Sequence, residues 1–167
     1  CTLIAHKTAQ QGIIIDPGGD LEYIMAFIKK WQLTQIQVVH THAHFDHILL
    51  AGALKEKVGA RLGLHREDKI LWDNLDQQCR LFGVPCDSKL PPPDDYLVHE
   101  EDLLITGLEG KVLHTPGHTP GSLCFLFKGI NLLVAGDTLF QGSIGRTDLW
   151  GGDYQQIERS IKKILYT

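Results

Sequence analysis

Thr41-His42-Ala43-His44-Phe45-Asp46-His47 gathers three histidines and one aspartate between positions 42 and 47. The run follows a strand predicted over Ile36–Thr41. Along an extended chain, residues i and i+2 point to the same side, so His42 and His44 can converge on one ion. Asp46 and His47 come just after, where the chain turns into a helix predicted over Ile48–Val58, and they can face a second point nearby. A solvated polar turn is the alternative, but N and O donors packed this densely are what a metal site requires. None of the donors is a thiolate. Imidazole and carboxylate suit Zn²⁺, and equally Fe or Mn.

Working outward, two more segments present a polar group at a strand end. Thr115-Pro116-Gly117-His118-Thr119-Pro120-Gly121 is a tight loop between strands predicted over Lys111–His114 and Ser122–Phe127, and it holds out His118. Gly136-Asp137 ends a strand predicted over Asn131–Ala135. Taken singly, His118 reads as a loop residue and Asp137 as a turn residue. Together with the first run they supply a third imidazole and another carboxylate.

The remaining pattern is that of a layered α/β domain. Gly12–Asp16 reads as a buried strand closed by Pro17-Gly18-Gly19. Asp20 is placed to cap a helix over Leu21–Trp31, whose Leu21, Ile24, Ile28 and Trp31 recur at helical spacing. Ala60–Leu64 and Leu103–Thr106 read as strands, and Glu67–Asn74 as a short helix. Residues 75–98, with Pro91-Pro92-Pro93, carry no regular pattern. Asp153, with Gln156 three residues on, caps a final helix that faces Ile157, Ile161 and Ile164 inward.

Length and composition bound the function. A chain of 167 residues is one domain, 1–167, by the usual length prior. It opens on Cys1 and closes at Thr167 just after an apolar-periodic run, so we expect a domain trimmed at both ends. No apolar run approaches the roughly 20 residues of a membrane span. The net charge is −4 and the basic doublets are Lys29-Lys30 and Lys162-Lys163, which argues against a nucleic-acid surface. Cys1, Cys79, Cys86 and Cys124 form no CxxC pair. A Cys79–Cys86 disulfide is open to the chain, but thiols in a reducing cytoplasm are the expectation at this size.

The motifs resemble the metallo-β-lactamase superfamily. Thr41–His47 matches its HxHxDH signature, and the segments around His118 and Asp137 match its later motifs in the right order. Asp16-Pro17-Gly18-Gly19, Leu113–Gly121, Gly136-Asp137-Thr138-Leu139-Phe140 and Gly145-Arg146-Thr147-Asp148 are similar to the glyoxalase II-like, hydroxyacylglutathione hydrolase branch in its single-domain form. The resemblance implies an αββα four-layer sandwich. It implies one metal on His42, His44 and His118, and a second on Asp46 and His47, with Asp137 bridging. The family's second metal takes one further histidine from a later loop, and this resemblance places it beyond Thr167.

A metal that lowers the pKa of its bound water then gives hydroxide near neutral pH, and a thioester, whose thiol has a pKa near ~8.5, needs no strong acid to leave. The expected substrate is a small acyl thioester such as S-lactoylglutathione, with neither nucleic acid nor membrane as partner. Asp46 is also read as orienting the hydroxide. Arg146 is a candidate contact for a substrate carboxylate, against a structural ion pair with Asp148. A β-lactamase fits less well at His47 and Asp137. The rivals are a mononuclear-iron persulfide dioxygenase, which the HTPG and GRTD regions also resemble, and a non-catalytic metal-binding protein. His40 is read as buried support, His114 as structural, and His6, His65 and His99 as surface or satisfied core residues.

Overall fold

Ile13, Ile14 and Ile15 are all buried because their strand is covered on both faces. The strand is β2 (Gln11–Ile15), and it lies inside a five-stranded sheet of order β1-β2-β3-β4-β5. The computed structural model describes residues 1–86 and 90–166. β1 (Thr2–His6) pairs antiparallel with β2, whereas β3 (Gln35–Val39), β4 (Arg61–Leu64) and β5 (Asp95–Tyr96) run parallel. Alternation then splits β2 between two cores. Ile14 packs with Val38, Leu62 and Leu64 under the helices, and Ile13 and Ile15 point to the other face.

That helical layer comprises α1 (Leu21–Lys30), α2 (Phe45–Ile48), α3 (Ala51–Val58), α4 (Lys69–Asp73) and α5 (Leu75–Phe82). Ile24, Ile28, Ile48, Leu54, Trp72, Leu75 and Cys79 fill the layer's interior. The opposite core lies between the two sheets. Val112, Leu123, Phe125 and Phe127 of the second sheet meet Ile13, Ile15 and Val39 of the first. The second sheet is antiparallel in the order β6 (Asp102–Ile105), β7 (Leu108–His114), β8 (Leu123–Phe127), β9 (Leu132–Val134). A short hairpin follows, β10 (Leu139–Phe140) with β11 (Ser143–Ile144), and then α6 (Tyr154–Ser160), which continues as a wider turn over Ile161–Leu165.

The predicted α/β class and layering hold, with local corrections. β1 and α5 were not expected. The helix expected over Ile48–Val58 starts at Phe45 and breaks before Ala51, which puts Asp46 and His47 on a helical turn. The short helix expected over Glu67–Asn74 is a 3₁₀ turn over Arg66–Asp68 followed by α4. Asp20 and Asp153 cap as expected, accepting from the amides of Tyr23 and Gln156. All four cysteines are thiols. Part of the irregular stretch, residues 87–89, lies outside the described residues, as does position 167.

Two close approaches fix where the histidine run sits. The Leu123 amide donates to the Thr41 carbonyl, which ties β8 to the end of β3 across the two sheets. A Cβ on Gly18 would fall 1.5 Å from the Asp46 carbonyl oxygen, so only glycine lets the Asp16–Gly19 turn pass beneath α2.

Candidate metal centre

The donors collect at the carboxyl ends of the parallel strands, where loops from several elements meet. His42, His44 and His118 are nearly fully buried, and their ring nitrogens face one another. His118 Nε2 stands 3.2 Å from His42 Nε2 and 3.0 Å from His44 Nδ1. Two nitrogens bound tetrahedrally at zinc distances would be roughly 3.3 Å apart, so the triad fits such an ion. Its inner nitrogens have no room for three protons. Burial first, and the neighbouring imidazoles second, hold His42 well below its usual range and His44 down to about 3. Both therefore stand deprotonated, as ligands must.

A second group, His42, His47 and Asp137, adjoins the first and shares His42. Asp137 faces both groups: Oδ1 is 3.5 Å from His47 Nε2 and Oδ2 is 3.7 Å from His118 Nε2. Asp46 stands at the exposed rim, with Oδ2 3.8 Å from His47 Nε2. Burial opposes protonation of His47, but hydrogen bonds to Asp137 and Asp16, with the charge of Asp46, raise it from 6.5 to about 10. In the metal-free protein His47 is thus a cation among three carboxylates, at the place where the second ion would sit.

This asymmetry sets a pH dependence. An ion taking His47 Nε2 must displace a proton held up to about 10, so the apparent affinity of this group rises about tenfold per pH unit from pH 7 upward. His42 and His44 have no proton to lose over that range. Calorimetric titration in buffers of different ionisation enthalpy should show one proton released with the His47 group and none from His42 or His44. Binding there without proton release would contradict the assignment.

The orientation of each ring is set from outside. Asp16 accepts from the Thr41 amide at 2.7 Å and from the Thr41 hydroxyl at 2.7 Å, and meets His47 Nδ1 at 3.0 Å. Because the Thr41 hydroxyl spends its proton on Asp16, it accepts from His42 Nδ1 at 3.1 Å and leaves Nε2 bare. His118 Nδ1 donates to the Arg146 carbonyl at 2.7 Å and likewise turns Nε2 inward. The Arg146 guanidinium instead makes a two-pronged ion pair with Asp148. Gln78 of α5 accepts from the Phe45 amide and donates to the carbonyls of Ala43 and Leu71.

Asp68 is fully buried and joins the two ligand loops. It accepts from the Ala43 amide at 2.9 Å, between His42 and His44, and from the Thr119 hydroxyl at 2.8 Å and the Gly121 amide at 2.6 Å, beside His118. Burial pushes its carboxyl pKa up, and the three donors pull against that. Asn at this position offers one acceptor oxygen and turns an NH₂ toward a donor. Asp68→Asn is expected to weaken metal binding about 10- to 100-fold, read by competition with a chromophoric chelator. Unchanged affinity would show that the loops hold their geometry without it.

The structure thus brings His42, His44, His47, His118 and Asp137 together, sets Asp46 at the rim, and pairs the Arg146 guanidinium with Asp148. Sequence reading missed the supports. Asp16 has φ +55°, an unusual value for a non-glycine, and its place at the end of a buried strand was the available signal. Nothing in the local pattern marks Asp68. His40 is core support, with Nδ1 donating to the Gly63 carbonyl at 3.0 Å. His65 and His114, read separately, stack at 4.0 Å with Glu67 beside them, and burial, then His114, lowers His65 to about 4. His114 Nε2 donates to the Pro120 carbonyl at 2.9 Å.

Comparison with known proteins agrees with this geometry. A family model described as the metallo-beta-lactamase superfamily matches residues 1–166. The chain is similar to hydroxyacylglutathione hydrolase GloC of Haemophilus influenzae, 38% identical over 99% of this chain and 78% of the relative. It is similar to a probable metallo-hydrolase, YqgX, of Bacillus subtilis, 38% identical over 94% of this chain and 74% of the relative. Among solved structures it resembles the BLEG-1 B3 metallo-beta-lactamase (TM-score 0.86, 38% identity, 98% of this chain and 79% of that one). It also resembles TTHA1623 in a di-iron-bound form (TM-score 0.83, 34% identity, 93% of this chain and 76% of that one).

Proposed function

The chain belongs to the metallo-β-lactamase superfamily, and from that premise we propose that it hydrolyses acyl thioesters, with S-lactoylglutathione as a representative substrate. The observation that carries the reading is the pair of donor groups sharing His42, with Asp137 facing both and an open rim at Asp46. His42, His44 and His118 would hold one ion, and His47 and Asp137 with Asp46 a second. Zn²⁺ is the proposed ion, and Fe or Mn suits the same donors. A metal bound there supplies Lewis acidity toward a carbonyl oxygen and lowers the pKa of water toward about 7.

The protein's own part is to orient and to exclude. Asp16, Thr41 and the Arg146 carbonyl fix which nitrogen each imidazole presents. The nearly complete burial of His42, His44 and His118 keeps bulk water from the inner face of the site. Asp46, with its side chain 58% exposed, can take a proton from the attacking water and pass it to solvent. A thiolate leaves without an acid, which suits a site whose rim next to His47 carries carboxylates.

The substrate class is supported by the motif likeness and by the relative named hydroxyacylglutathione hydrolase. The four thiols accord with a reducing, cytoplasmic setting. No helix among the described residues is long and apolar enough to cross a membrane. The test is thiol release from S-lactoylglutathione, expected to vanish on chelation and return with Zn²⁺. Oxygen uptake on glutathione persulfide without thiol release would assign the site to dioxygenase chemistry instead. Metal binding with neither activity would make the protein a metal-binding one.

A further inference from the structure

Trp150 lies on the turn before α6, and its ring centroid stands 6.4 Å from that of His44. Phe82, the last residue of α5, is 6.4 Å from Trp150 and stacks at 5.0 Å on Phe45, the residue after His44. Beside Trp150 a hollow of about 220 Å³ opens, lined by Ile70, Leu71, Asn74, Gln77 and Gln78 with Trp150 itself. None of these residues is charged. The Gln78 amide is already spent on Phe45, Ala43 and Leu71. The Arg146 guanidinium, on the same loop as Trp150, is paired with Asp148.

Trp150 therefore stands partly in water 6.4 Å from His44, with the exposed Phe82 and Ile70 on the same side of it. Ile70 is 69% exposed, Phe82 42% and Trp150 40%. Surface of this kind next to a reaction centre serves a binding partner rather than the fold. A charged substituent finds no counter-ion in the hollow, whereas an apolar one is desolvated against Trp150 and Ile70.

We propose that this hollow receives the acyl chain of the thioester, so that the site selects apolar acyl groups and Trp150 is the residue that sets the preference. The inference rests on the hydrolase reading. The step is ordinary hydrolysis: the water oxygen bonds to the acyl carbon, that water's proton passes through Asp46 to solvent, the C–S bond breaks, the sulfur leaves as a thiolate that takes a proton from solvent, and the acid departs. The small lactoyl group reaches the donors without filling the hollow, and longer chains add contact with Trp150.

The test compares acetyl, butyryl and hexanoyl thioesters of glutathione. For the wild type, kcat/KM is expected to rise about tenfold from acetyl to hexanoyl. Trp150→Ala should flatten that rise, chiefly through KM. Gln77→Glu is an exposed-site change that keeps the fold while setting a charge in the hollow, and it should flatten the rise as well. Calorimetric binding of hexanoate to wild type and variants reads the hollow without turnover, with about a tenfold weakening expected in each variant. If no thioester is hydrolysed, the functional reading fails, and hexanoate binding still decides this inference. A flat acyl series, or hexanoate binding that ignores both variants, would overturn it. A variant that shifts only the melting temperature would show that Trp150 is a packing residue.

Discussion

Replacing His42 by alanine is expected to remove metal and activity together. His42 is one of the three imidazoles of the buried triad, so its loss leaves His44 and His118 there. Two imidazoles do not make a closed site. Altering the partners around a ligand already costs about 10- to 100-fold in affinity, so losing a triad ligand outright should cost on the order of 10³-fold or more. Metal content after dialysis, and thiol release from S-lactoylglutathione, should both fall to background. The buried imidazole also fills space and takes part in the Thr41–Asp16 chain, so melting of the metal-free variant should be followed alongside. Metal content at the wild-type level would contradict the triad geometry.

Asp46→Asn should separate chemistry from binding of the first ion. The carboxylate is exposed at the rim, 3.8 Å from His47 Nε2, and outside the His42, His44 and His118 triad. If it accepts the proton of the attacking water, the amide cannot, and kcat should fall about 10²- to 10⁴-fold. The first equivalent of metal should bind as before, because no triad nitrogen depends on Asp46. Full turnover by Asp46→Asn would remove the residue from the reaction and leave it a rim charge.

The candidate donors were legible in sequence because metal chemistry needs particular residue types at close spacing. His42, His44 and His47 announce themselves in one run, and His118 and Asp137 stand at loop positions that strand patterning predicts. The buried strand Ile13–Ile15 was equally plain. Other elements were hidden for physical reasons. In Leu75–Phe82 the inward positions Leu75 and Cys79 are outnumbered by polar residues, and Gln78 is buried through hydrogen bonds that a hydropathy pattern does not register. Thr2–His6 is an edge strand with every residue half-buried, so it lacks the alternation that marks a strand with one dry face. Asp16 and Asp68 illustrate the same limit at the site. Each is an acid whose value comes from donors distant in sequence, Thr41 and His47 for one, Ala43, Thr119 and Gly121 for the other. Trp150 reads as a loop aromatic until the fold sets it beside His44.

The central claim is that these imidazoles and carboxylates hold the metal on which thioester hydrolysis depends. It is tested most directly by titrating Zn²⁺ into chelator-stripped protein while following thiol release from S-lactoylglutathione. The predicted result is no release without metal, and activity that rises with added ion and levels off by the second equivalent per chain. Full thiol release from metal-free protein would contradict it.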